Sequence, residues 1–225
     1  MDWQALVLTL KLDLVVCCLL LFIGVPIAWW LAFSRWRWKF LVEALVALPL
    51  VLPPTVLGFY MLLALGPRSP LGKLYGWVGG RGLPFSFGGL VVASVVYSLP
   101  FMVQPVAGAF GSVDPKLLKA SAVLGASRLR TFVRMVLPLS VGGVVTGLVL
   151  TFAHTLGEFG VVLMVGGNIP GVTRTVSISI YDNVQALDFS SAAQTSLVLL
   201  IASFLTLSVV YAINRRGSAT WPGTH

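Results

Sequence analysis

Charged side chains are scarce in this 225-residue chain, at 10% of residues against about 25% in an ordinary soluble domain. A water-soluble globule needs them to cover its surface, so the shortage excludes a soluble enzyme and a disordered tail. Cysteine is almost absent, which excludes a disulfide-stapled secreted domain. The two cysteines, Cys17 and Cys18, are adjacent in an apolar run and lack metal-ligand spacing, so both read as apolar fillers. The two histidines lie far apart and make no zinc site. No repeat of 20–50 residues is visible, which gives an inverted-repeat secondary transporter no support. There is no Gly-x-x-x-x-Gly-Lys-Ser/Thr, so the chain has no nucleotide-binding loop of its own.

What is present is apolar: 57% hydrophobic residues and a mean hydropathy of +0.95. The implied class is an all-α integral membrane protein. A spanning helix needs about 20 mainly apolar residues. Five such runs occur, at residues 14–33, 44–67, 83–113, 135–157 and 189–214, the fourth keeping its apolar character to about 165. The segment 159–173 either finishes helix four or forms a re-entrant piece broken by Gly166, Gly167 and Pro170. The N-terminal MDWQALVLTLKLD has acidic residues before the apolar run and no basic region, so a cleavable signal is not expected.

The net charge of +8 reads as basic loop residues on one membrane face rather than a nucleic-acid surface. Ten of the fifteen Lys and Arg residues fall in loops one to two, three to four, and after helix five. With five spans, this places the N-terminus outside and those loops in the cytoplasm. Trp29, Trp30, Trp36 and Trp38 cluster at one boundary as an aromatic belt. One transmembrane domain over residues 1–216 and a short cytoplasmic tail at 217–225 are expected.

The longest cytoplasmic loop, residues 111–138, reads GSVDPKLLKASAVLGASRLRTFVRMVLP. Asp114 suits an N-cap and Pro115 the first helical position. Leu117, Ala120, Ser121 and Leu124 fall on one helical face. Gly125 suits a left-handed stop, and Ser127 caps a second short helix through Arg134. This predicts a helix-turn-helix at the membrane surface between helices three and four. It serves either as a lipid-lying amphipathic helix or as a docking helix for a cytoplasmic partner.

Lys119-Ala120-Ser121, three residues, Gly125, nine residues, then Met135-Val136-Leu137-Pro138 resembles the loop motif of bacterial ABC importer permeases. There the pattern is Glu-Ala-Ala, Gly, then Ile-x-Leu-Pro. Lys119 stands where that family usually has Glu, which reverses a charge. The resemblance implies that Asp114, Leu117, Lys119, Ala120, Ser121, Gly125, Arg128, Leu137 and Pro138 belong to an ATPase-coupling loop. The segments LPLVLPP at 48–54, LGEFG at 156–160 and NIPGVTRT at 168–175 look more like molybdate permeases, with sulfate, thiosulfate and tungstate import as neighbouring readings. A secondary anion transporter would leave the loop unexplained.

The resemblance also implies a permease homodimer in the bacterial inner membrane, amid membrane lipid. Its partners would be two ATPase subunits, which use ATP and Mg, and a periplasmic or lipid-anchored molybdate-binding protein. No cofactor is expected in this chain.

Polar residues inside the apolar runs are pathway or gate candidates. Glu158 is either a hydrogen-bonding carboxylate that ties helices together or a gate, since a carboxylate repels a dianion. His154, four residues earlier, is a possible partner for it or a lone interfacial histidine. Pro49, Pro53 and Pro54 interrupt helix two, as a packing kink or as a pore-lining segment with Thr55 beside it. Gly142, Gly143 and Gly147 permit close helix contact, within the chain or between copies. Asn168, Thr173 and Arg174 form either an outer anion vestibule or a fixed loop.

Overall fold

A computed structural model describes residues 2–77 and 82–219. Among them every regular element is helical. In chain order these are α1 (Trp3–Phe33), α2 (Lys39–Val51), α3 (Pro54–Leu65), α4 (Pro70–Trp77), α5 (Phe87–Gly111), α6 (Pro115–Val123) and α7 (Arg128–Thr131). A π turn (Phe132–Val136), α8 (Leu137–Leu139), α9 (Val141–Leu156), α10 (Gly160–Gly166), α11 (Val176–Gln185) and α12 (Phe189–Ala219) follow.

Among the described residues three helices, α1, α5 and α12, are long and apolar enough to cross a membrane. The count reaches five if each of two bent helix pairs is one span. Helix α1 begins at Trp3, eleven residues before the run expected from hydropathy, and carries Lys11 and Asp13 inside it. Asp2 caps it, accepting from the Ala5 N–H at 3.0 Å. Lys11 lies over the Phe87 ring, 4.8 Å from its centroid, so its charge is accommodated at the bundle edge.

Lipid is as apolar as leucine, so hydrophobicity alone does not mark the packed face of such a helix. The buried stripe of α1 is instead its smaller and more polar one: Thr9, Asp13, Cys17, Gly24 and Ala28 among the leucines. Val7, Leu14 and Phe22 point away from the protein. That stripe packs on α5 and α9, and the core runs through Leu12, Val16, Met102, Val106 and Phe110. Gly143 and Gly147 of α9 abut Ala109 and Met102 of α5, so these two glycines serve packing within the chain. No neighbouring atom approaches Gly142.

The expected second span is bent by 114° between α2 and α3. Pro49 lies inside α2 without ending it. The break comes from the tandem Pro53-Pro54, because the residue before a proline is driven out of the helical region. Leu52 (ψ 137) and Pro53 (ψ 136) are accordingly both extended. Residues 159–173 form the short α10 and a loop, followed by α11, a helix not expected from the sequence. Gly217 and the next two residues continue α12, and the rest of the expected tail, 220–225, lies outside the described residues, as does Arg81.

Candidate functional site

The loop between α5 and α9 folds as a hairpin of two short helices. The Asp114 carboxylate accepts from the Lys116 N–H at 2.8 Å, and Pro115 opens α6. Gly125 closes the helix at φ +73, a backbone state nearly closed to residues with a Cβ, while the Ala126 N–H reaches back to the Ser121 carbonyl at 3.1 Å. Ser127 caps α7, accepting from the Arg130 N–H. The Ser121 and Thr131 hydroxyls meet at 2.7 Å and fasten one arm to the other. Ser121 is thus turned inward, while Leu117, Lys119, Ala120 and Arg128 stay on the surface. Val123 and Leu124 at the tip are 87% and 85% exposed.

The hairpin joins the membrane helices through a π turn, where a continuous helix to Arg134 was expected. Pro138 explains the change: it has no N–H to offer, so the register slips and the Leu137 N–H bonds the Phe132 carbonyl five residues back. Leu137 and Pro138 then form α8, which meets α9 at a 71° bend in the run. Two residues that the sequence did not single out make the mechanical connection. The Phe132 ring packs on Trp29 of α1 (4.9 Å) and Phe110 of α5 (5.5 Å). The Ser140 hydroxyl donates to the Ala109 carbonyl at 3.2 Å.

Deeper in the bundle, two helix breaks meet. Pro53, Pro54 and Thr55 lie exposed at the α2–α3 break. Against them stands the α9–α10 break, Gly157 to Phe159. The contact is close enough that a Cβ at Gly160 would sit 2.6 Å from the Pro54 Cβ, so only glycine fits. Non-helical backbone at membrane depth is tolerated where it is buried in protein or lines a watery path. The exposed prolines and Gly157 are suited to the second role.

Glu158 points the other way, into the protein, and is 4% exposed. Asp13 of α1, which the sequence reading left ahead of the first span, is 0% exposed. The two carboxyl groups lie within electrostatic reach of each other. The Cys17 Sγ to Leu148 carbonyl contact (3.8 Å) ties α1 to α9, and Asp13 and Thr151 are both fully buried on these two helices. Ser98 and Thr155 hydroxyls join α5 to α9 at 2.9 Å. A stripe of buried polar groups therefore runs through the packed centre of α1, α5 and α9. His154 does not pair with Glu158: α9 ends at Leu156, so the i,i+4 relation fails. Its ring stacks on Phe101 (4.0 Å) beside Tyr97 (4.7 Å) instead.

Residues 24–218 match the family described as "Binding-protein-dependent transport system inner membrane component". This chain belongs to that family. Relatives cover it almost end to end. The molybdenum transport system permease protein ModB of Azotobacter vinelandii is 50% identical over 95% of both chains. ModB of Escherichia coli K12 is 39% identical over 89% of this chain and 88% of its own. A probable sulfate transport system permease protein, cysT of Zygnema circumcarinatum, is 30% identical over 88% of this chain and 69% of its own. The fold is that of a chain in a bacterial alginate ABC transporter, with a TM-score of 0.75, 18% identity and coverage of 98% and 80%.

In the permease, Arg174 is fully engaged. Its Nε donates to Asn168 Oδ1 at 2.7 Å, and its guanidinium pairs with Asp182 (3.4 Å) and with Asp2 (4.0 Å). The Asn168 amide donates to Asp182 at 2.7 Å. The Thr173 hydroxyl accepts from the Ile169 N–H, closing the Pro-Gly turn. These contacts tie the loop, α11 and the start of α1 into one unit. Asp182 carries half of this network, yet its sequence context is an ordinary helix and gave no signal.

Proposed function

We propose that this chain is the membrane-spanning subunit of an ATP-driven importer that moves molybdate across the bacterial inner membrane by alternating access. The hairpin of residues 114–134 carries the importer reading: it is braced internally by three side-chain hydrogen bonds yet holds its apolar tip in the open. An exposed Val-Leu pair on a rigid base is what a soluble motor subunit can grip. The substrate follows from near full-length relatives named for molybdenum transport.

In this reading the N-terminus is outside and the hairpin cytoplasmic, with eight basic residues against two acidic ones over residues 35–43 and 114–134. Two copies pair, two ATPases dock on the hairpins, and a binding protein delivers the anion from outside. ATP and Mg act in the ATPases. Closure of the ATPase pair carries each hairpin with it. Phe132 and Ser140 pass that displacement to α1, α5 and α9, the helices that hold the polar stripe. The anion passes along the break at Pro53, Pro54 and Thr55, where the start of α3 carries the partial positive charge of a helix N-terminus. Such a site is weak, as passage requires.

Cellular molybdenum at nanomolar external molybdate, with and without the chain and in excess sulfate, tests the reading. A loss on deletion that sulfate does not alter is the expected outcome. A loss of sulfate uptake alone would transfer the substrate to the sulfate reading, which the cysT relative favours.

A further inference from the structure

The cytoplasmic end of α1 and the hairpin enclose a groove of about 1020 Å³. Its wall is apolar and aromatic, formed in part by Trp29, Trp30, Phe33 and Phe132, and Arg35 and Arg128 stand in the same lining. Among the described residues neither arginine has a carboxylate within ion-pair distance. The lining extends along α1 from Phe33 down to Pro26, roughly 10 Å of helix axis. One leaflet of hydrocarbon is about 15 Å deep, half of the roughly 30 Å core. The groove is therefore cationic at headgroup level and apolar over about two thirds of a leaflet. Trp30 and Phe33 are part-exposed in it, beside the tryptophan belt.

We propose that this groove binds one anionic phospholipid of the surrounding bilayer, its phosphate between Arg35 and Arg128 and one acyl chain along Trp29, Trp30 and Phe132. Basic pockets beside membrane helices on the cytoplasmic face suit such headgroups. The exposed tip residues Val123 and Leu124 do not line the groove, so the apolar tip offered to an ATPase lies outside it, while Arg128 of the coupling loop belongs to its lining. A lipid seated here touches both α1 and the hairpin and so bears on their relative motion. The inference rests on the orientation proposed above only for the choice of leaflet.

The test uses the complete importer in nanodiscs of phosphatidylcholine titrated with phosphatidylglycerol, with retained lipid counted by native mass spectrometry. Arg35→Gln/Arg128→Gln is expected to lose one retained phosphatidylglycerol per permease copy and to weaken its apparent affinity about 20-fold. Arg35→Gln alone, outside the hairpin, is expected to weaken it about fivefold with ATPase assembly intact, so lipid binding and motor docking separate. Arg37→Gln removes the same charge from the same membrane face but outside the groove, and is expected to retain the lipid. An equal loss for Arg37→Gln would reduce the effect to general surface charge and overturn the site. In an otherwise unaltered chain, Ala126→Cys should react more slowly with a water-soluble maleimide when phosphatidylglycerol is added. Slowing on ATPase assembly alone would give the groove to the motor, slowing on permease pairing alone would give it to a second copy, and no slowing would leave it without a lipid. Each of these results overturns the proposal.

Discussion

The hairpin between α5 and α9 and the clamped loop between α10 and α11 are both held by polar contacts, but they use them differently. The hairpin satisfies its own backbone with Asp114 and Ser127, ties its arms through Ser121 and Thr131, and leaves Val123 and Leu124 uncovered. The loop spends every strong group on itself: Arg174, Asn168, Asp182 and Asp2 are all mutually engaged. A surface that is rigid but unfinished is built to receive a partner. A closed network instead fixes geometry and keeps little charge for a ligand. On this comparison, changes in the hairpin should damage coupling more than stability, and changes in the clamp should do the reverse.

The strongest test is Gly125→Pro. Proline fixes φ near −65°, against the +73 of Gly125, so the turn cannot form. Transport is expected to fall to the level of cells lacking the chain while membrane insertion persists. Coupled transport at the normal rate would remove the hairpin from the mechanism. Leu124→Asp comes next. With the side chain exposed, the fold should change by no more than about 0.5 kcal/mol. ATPase association, measured on purified subunits, should weaken by about 2 kcal/mol, or roughly 30-fold, if Leu124 is a central contact. Loss of thermal stability with association unchanged would assign the tip to folding.

Arg174→Ala probes the other side of the comparison. It leaves Asp2 and Asp182 without their cation, at a cost of about 1–3 kcal/mol in stability. A double-mutant cycle with Asp182→Asn should return about 0.5–1 kcal/mol of coupling between the two. The apparent KM for molybdate uptake should stay unchanged. A raised KM with stability intact would show that Arg174 receives the anion and that the clamp opens in use.

The parts of this molecule legible in the sequence are those governed by local rules. Asp114-Pro115, Gly125 and Ser127 act on their own neighbours, so the hairpin could be read before its structure was known. Long-range balances were hidden. The start of α1 was missed because Lys11 and Asp13 interrupt the hydropathy signal, although one finds an aromatic face and the other lies inside the bundle. The 114° bend was read only as an interruption, because the residue-before-proline effect acts twice in succession at Leu52 and Pro53. The π turn depends on Pro138 acting backward on Phe132. The pairing of His154 with Glu158 presumed a helix that continues past Leu156, and it ends there. Asp182 became visible only when Arg174 and Asn168 were brought to it.

The smallest expected effect discriminates best between a brace and a contact. Asp114 either caps α6 or offers its charge to the docked ATPase, and Asp114→Asn separates the two. Asparagine caps as well as aspartate does, whereas alanine costs about 1 kcal/mol. If Asp114 is a brace, Asp114→Asn should keep both hairpin stability and ATPase stimulation at the original level. Asp114→Ala should then lose a few-fold in coupling, because a 1 kcal/mol cost shifts a local equilibrium by about fivefold. If Asp114 contributes charge to the interface, Asp114→Asn should fall as far as Asp114→Ala, with a salt dependence that the cap alone does not produce. ATPase rates of the two variants at low and high salt therefore decide whether Asp114 acts only on its own hairpin, as the comparison with the Arg174 clamp requires.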